Sequence, residues 1–385
     1  SEFTSSEHWW DRFARVTPLS ANTLSKAPAS WPIPVFVDSA SGAHVRDVDG
    51  NYWLDWSAAL GPCILGYSNQ AVTDAIIRQV TDAGVLFPQP HPLEVEVAER
   101  ICALTGYHAV RLGKTGSDAV AAAVRAARIY TGRSLVVVDD GYHGWHDWFA
   151  VTTERNRGIP GVLRGLVRDG GWYEDMAALV VEPDRFYREQ LLEFRGMCNE
   201  VGAVLIFDEV ITGFRLAPGG AVEHYGVRPD LSCYGKALAN GMPLSAVAGD
   251  EVMEAFDHGF WSTTHGGETL SLAAAKATLD QLADGEVLAE ITRRGEHLGE
   301  YLKRFGANVS GYPAHLCWNF VDLEERSWVL QCFASEQILF NGHFFGMAPH
   351  TDEDLHWTLQ VAEAACRWPK EKRKLNKLLA PVYRS

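Results

Sequence analysis

The sequence predicts an α/β fold: a large domain with a mostly parallel sheet covered by helices, joined to a smaller α+β domain drawn from both chain ends. Three observations predict it. Short β-branched runs alternate with amphipathic stretches through the middle of the chain. A hairpin signal marks the N-terminal part instead. An apolar run, Val204-Leu205-Ile206-Phe207, ends in the acids Asp208-Glu209, as a buried strand does when it delivers a polar group at its end.

Residues 1–60 form the first part of the small domain, with a hairpin over 45–55 in which Asp49-Gly50 supplies the turn. Residues 61–283 form the large domain. Strands are expected at 109–112, 135–138, 177–181, 203–207 and 245–248, and helices at 117–130, 186–201 and 270–282. Residues 284–385 mix helices with short strands and complete the small domain. No internal repeat or low-complexity segment interrupts this order.

Composition narrows the function classes. The 34 basic and 49 acidic residues leave a net charge of −15, and the stretch 370–377 is the one basic block, so nucleic acid is not an expected partner. The seven cysteines show no paired spacing of the zinc or redox kind, which predicts reduced thiols. No secretory h-region or membrane span is read from the sequence, and a cytoplasmic location is expected.

Lys236, in Tyr234-Gly235-Lys236-Ala237, lies 28 positions after Asp208, and both are expected at the ends of sheet strands. An amine that loses its charge in a desolvated site can condense with an aldehyde, and an aspartate can keep a pyridine nitrogen protonated. That pair is what pyridoxal phosphate requires of a protein. Upstream, Lys114-Thr115-Gly116-Ser117-Asp118-Ala119 joins a short strand to an alanine-rich helix. Its backbone N–H groups and helix dipole suit a phosphate, with Gly116 allowing close approach and Thr115 and Ser117 adding hydroxyls. Taken alone the segment also reads as an ordinary helix cap. A nucleotide-binding P-loop is disfavoured, because His108 occupies the position of its first glycine. His143 and His146 with Asp147 lack a third ligand at matching spacing, so no metal is expected there.

With these motifs in order the chain resembles the class III aminotransferases, of the fold type I PLP-dependent transferases, nearest the glutamate-1-semialdehyde aminomutase branch. The resemblance is densest over residues 42–282. The stretch from Asp47 to Asp55 is similar to the family's N-terminal signature, and Thr115-Gly116-Ser117-Asp118-Ala119 resembles its phosphate loop. Tyr142-His143-Gly144 resembles the segment whose aromatic ring stacks on the cofactor. Asp208 to Arg215 resembles the segment that partners the pyridinium, and Thr264-His265-Gly266-Gly267 the one that reaches the neighbouring subunit's phosphate.

The resemblance implies pyridoxal 5'-phosphate as cofactor and a homodimer with shared active sites. It implies Lys236 as the imine lysine and proton carrier and Asp208 as the ring-nitrogen partner. Tyr142, His143 and Val210 would lie around the ring, with Thr115, Gly116, Ser117 and Thr264 at the phosphate. Where the aminomutase branch carries an early arginine for the substrate carboxylate, the stretch 22–27 offers Lys26, and Trp145 is a candidate lining for the substrate pocket. Further departures are Lys114 for the family's usual Asn, Asp184 to Tyr187 in place of a glycine-rich continuation, and Glu268-Thr269 in place of Asn-Pro. The expected reaction is amino transfer between an amine or amino acid and a carbonyl compound. The same residues would serve an intramolecular aminomutase, a decarboxylase or a racemase, and these stay open.

Overall fold

The computed structural model describes residues 3–139, 141–368 and 373–380; the first three residues of the 370–377 basic stretch lie outside them. Two compact units emerge, one from the chain up to Asn69 together with residues from Ala289 onward, the other Gln70–Leu288.

The Gln70–Leu288 unit is built on a seven-stranded sheet. Its strand order is Ala109–Gly113, Ser245–Gly249, Leu231–Tyr234, Val204–Glu209, Met176–Val181, Leu135–Val138 and Val167–Asp169. The Ser245–Gly249 strand runs antiparallel to both neighbours, and the remaining pairs are parallel. Every residue of the Met176–Val181 and Val204–Glu209 strands is buried. A strand covered on both faces has no polar side to alternate with, which explains their continuous apolar runs.

The Gly116–Thr131 helix lies on this sheet through Ala119, Val120, Ala122, Ala123, Val124, Ala126 and Ala127. These residues share one core cluster with Val136, Val138, Val180, Ile206 and Val247. Alanines on the buried stripe let the helix sit close to the sheet, and each fully buried valine or isoleucine stabilises the unit by about 1.5–3 kcal/mol. The helix starts at a reciprocal cap in which Thr115 Oγ1 accepts from Asp118 N and Asp118 Oδ2 accepts from Thr115 N. It stops at Gly132, whose φ of +68° is left-handed.

In the unit made from the chain ends, the expected hairpin consists of His44–Asp47 and Tyr52–Asp55. Asp47 organises its turn by accepting from Asp49 N, Asn51 N and Trp53 Nε1. Val37–Ser41 adds one strand to this sheet, and Ile338–Leu339 pairs in parallel with Tyr52–Asp55. A second, antiparallel sheet holds Val309–Tyr312, His315–Trp318 and His343–Phe345.

Candidate active site

Because every strand but Ser245–Gly249 runs the same way, six carboxyl ends open at one edge. That edge is where open α/β sheets hold ligands. It carries the Thr115–Ser117 turn after the first strand, Asp139 and His143 after Leu135–Val138, Glu182 after Met176–Val181, Asp208 near the end of its own strand, and Lys236 two residues past Leu231–Tyr234. Register sets Asp208 opposite Cys233 on the adjacent strand, three residues before Lys236.

Alternation along the strand sends Asp208 and Glu209 to opposite faces. Glu209 is fully buried and accepts hydrogen bonds from Ala221 N at 2.6 Å, Thr212 Oγ1 at 3.1 Å and Ser232 Oγ at 3.4 Å. Burial pushes its pKa up to about 7, against those hydrogen bonds. Asp208 faces the other way. Its Oδ2 lies 2.7 Å from His143 Nδ1, and its Oδ1 accepts from Val210 N at 3.2 Å.

His143 in turn lies 2.6 Å from Asp139 Oδ1 through Nε2, so a single buried imidazole bridges two carboxylates. Burial alone would favour the neutral ring. The hydrogen bonds to Asp139 and Asp208 outweigh it and push the pKa up to about 10, which keeps His143 protonated and donating from both nitrogens at neutral pH. Asp139 is held further by Gly141 N and Glu182 N.

Lys236 is half-buried, and its backbone sits in the left-handed region at φ +36°. For a lysine this is a strained conformation, of a kind that concentrates at functional sites. Burial lowers its pKa below the usual lysine range, while the carboxylates of Glu182 and Asp208 pull the other way. Burial and the Asp208 charge push Glu182 up to about 8, and its Oε1 accepts from Tyr142 N at 2.9 Å.

Steric contacts explain the glycines. A Cβ on Gly116 would stand 2.8 Å from Val210 Cγ1, and one on Gly235 would stand 3.4 Å from the same methyl and 3.7 Å from the Gly116 Cα. Val210 thus fills the space beside the helix N-terminus. Gly144, at φ +98°, lets the chain cross Ser117, whose Oγ accepts from Trp145 N at 3.2 Å.

The family model of the class-III aminotransferases matches residues 25–169 and 167–312. The chain belongs to the class-III aminotransferase family. As a class-III aminotransferase it is an enzyme whose cofactor is pyridoxal 5'-phosphate. A curated relative, the glutamate-1-semialdehyde 2,1-aminomutase of Alkaliphilus oremlandii (strain OhILAs), is 33% identical over an alignment covering 95% of this chain and 99% of that one. Among solved structures, the PLP internal aldimine form of the Sphingopyxis sp. MTA144 FumI protein superposes with a TM-score of 0.86 at 26% identity, covering 94% of this chain and 96% of that one. An omega-transaminase from Sphaerobacter thermophilus has a TM-score of 0.87 at 24% identity, covering 94% and 97%. The fold is therefore that of the fold type I PLP-dependent enzymes.

The residues at the sheet edge fit this cofactor. The turn at Gly116 and Ser117 offers first-turn N–H groups and a hydroxyl that could hold a phosphate. Asp208, backed by a cation, could face a protonated ring nitrogen, and a lysine with a lowered pKa could take the aldehyde. Thr115 is the helix N-cap, so its hydroxyl serves Asp118 N first. His143 meets Asp208 and Asp139 instead of open space, so it could act on a bound ring through Asp208. Tyr142 is 48% exposed and Trp145 70% exposed. Thr264 is exposed on the loop that precedes the Thr269–Leu282 helix, and Lys26 is an exposed residue of the other unit.

Three features escaped sequence reasoning. Asp139 follows the 135–138 valine run as Asp208 follows its own, and that shared pattern was the available signal. Arg185, within the departing 184–187 segment, lies 3.9 Å from Glu182 and 4.0 Å from Asp139. Lys114 and Glu268 were read as two separate departures, yet Lys114 Nζ donates to Glu268 Oε2 at 3.0 Å, and Glu268 caps the Thr269–Leu282 helix. The Lys114 charge is therefore matched locally.

Proposed function

We propose that this class-III aminotransferase transfers an amino group between an amine or amino acid and a carbonyl compound, with Lys236 and Asp208 as the catalytic residues. The observation that carries the reading is the half-buried, strained Lys236 beside a strand whose Asp208 is backed by a doubly hydrogen-bonded His143. Bound here, pyridoxal phosphate supplies an aldehyde for amines and an electron-poor ring that accepts the electron pair left when a proton leaves the substrate carbon.

The protein's own residues do the rest. Lys236 Nζ would hold the cofactor aldehyde, and burial, which lowers its pKa, favours the uncharged amine that could take a proton from one carbon and return it to another. Asp208 would keep a proton on the ring nitrogen. The His143 cation stabilises the Asp208 carboxylate, and Val210 N fixes its orientation. The Gly116 and Ser117 backbone anchors the phosphate at the positive end of a sixteen-residue helix. Tyr142 and Val210 would lie on either side of a bound ring. A homodimer in which Thr264 serves the neighbouring site is part of the proposal, and the exposure of Thr264 and Tyr142 supports it.

An intramolecular aminomutase is the second reading, favoured by the name of the relative that is 33% identical to this chain. The two separate on product analysis. Amino transfer that needs an external carbonyl acceptor supports the first; isomerised product formed in full without an acceptor would replace it with the second.

A further inference from the structure

We propose that His315, Cys317 and His343 form a binding site for a divalent ion of the zinc class, separate from the cofactor site. Local structure brings the three together from two strands. The period of two puts His315 and Cys317 on one face of the His315–Trp318 strand. Antiparallel register then places His343, on the His343–Phe345 strand, directly opposite Cys317. The three ligand atoms converge: His315 Nε2 and His343 Nδ1 are 3.0 Å apart, Cys317 Sγ is 3.2 Å from His343 Nδ1 and 3.7 Å from His315 Nε2.

Those separations are the edges of a metal's coordination shell. Zinc bonds of about 2.0–2.1 Å to nitrogen and about 2.3 Å to sulfur, at tetrahedral angles, set ligand atoms about 3.3 Å apart for two nitrogens and about 3.6 Å for nitrogen and sulfur. The three ligand atoms all lie within 4.8 Å of one another. As hydrogen bonds alone the arrangement is awkward, because the two shortest contacts converge on His343 Nδ1, which carries one proton or one lone pair and cannot serve both. An ion at the centre accepts a lone pair from each of the three atoms.

The surroundings fit a preformed site. The His315 ring lies parallel to Phe345 at 4.0 Å and 4°, and to His343 at 5.2 Å and 18°, which fixes its plane before any ion arrives. His315 is buried, Cys317 half-buried and His343 exposed, so a fourth position faces solvent and would take water or another small ligand. Two imidazoles and a thiolate, with no carboxylate, favour zinc, cobalt or copper over calcium or magnesium. The one other such cluster among the described residues, His143 with Glu182 and Asp208, belongs to the cofactor site.

The test is titration of chelator-treated holoenzyme with Co2+, read as a difference spectrum against the same holoenzyme. The expected result is a thiolate-to-cobalt charge-transfer band saturating at one ion per chain, displaced by Zn2+ and untouched by Mg2+. Cys317→Ala should abolish the band with the cofactor's own absorption unchanged. His343→Gln should keep it but weaken binding at least about tenfold. No sulfur-to-cobalt band in the wild-type protein, or the same band in the Cys317→Ala variant, would overturn the site.

Discussion

The imidazole of His143 lies 2.7 Å from the Asp208 carboxylate and 2.6 Å from that of Asp139, three side chains in a row with the cation in the middle. Removing the centre leaves two buried acids facing each other without a counter-charge. His143→Ala is therefore expected to destabilise the protein by about 3–5 kcal/mol, the range for breaking a buried ion pair from one side. It should also loosen the cofactor by weakening Asp208. Calorimetry and cofactor titration check both.

The same row gives a pH dependence. Folding raises the His143 pKa from 6.5 to about 10, so the folded state binds more protons between those values. The stabilisation is complete below pH 6.5 and is lost as pH rises through about 10. Glu182 and Glu209, raised to about 8 and about 7, act in the same direction at lower pH. Unfolding free energy should fall on the alkaline side, and in a His143→Asn variant the loss above pH 8 should be smaller. An unchanged alkaline slope in that variant would remove His143 from the account.

Gly116 is needed for space. Its φ is ordinary, but an added Cβ would stand 2.8 Å from Val210 Cγ1. Gly116→Ala should cost about 1–3 kcal/mol as overpacking and weaken phosphate binding. The double variant with Val210→Ala should recover most of the stability, measured by denaturant titration. A single variant as stable as wild type would show that the turn has room to spare.

Lys114 and Glu268 form a largely buried pair, 3.0 Å apart with side chains 15% and 12% exposed. Glu268 also accepts from Leu270 N and Ser271 N, so Glu268→Ala loses a helix cap worth about 1 kcal/mol in addition to the ion pair. Despite burial, the Ser271 and Lys114 hydrogen bonds hold the Glu268 pKa below the usual carboxylate range, so its contribution is present above pH 4.5 and lost as pH falls further. A double-mutant cycle with Lys114→Ala should give a coupling of about 0.5–3 kcal/mol; zero coupling would make the pair incidental.

What the sequence revealed followed from local pattern. The 109–112, 135–138 and 203–207 runs needed only β-branched content and length, and the phosphate-loop helix needed only its cap and alanine stripe. Lys236 and Asp208 were visible because strand ends announce themselves. Asp139 carries the same strand-end pattern, but its joining to Asp208 through one imidazole is a long-range contact with no local signature. The antiparallel course of Ser245–Gly249 was hidden for the same reason, since strand direction is set by connection and not by composition. The Lys114–Glu268 pair shows the converse: two departures from family pattern, each odd alone, make sense together only in space.

The central claim is that one lysine holds the cofactor. Reducing the purified holoenzyme with borohydride, digesting it and mapping the peptides by mass spectrometry tests that most directly. The account predicts a phosphopyridoxyl group on Lys236, absent from a Lys236→Ala variant; the group on any other lysine of the wild-type protein, with Lys236 unmodified, would contradict it.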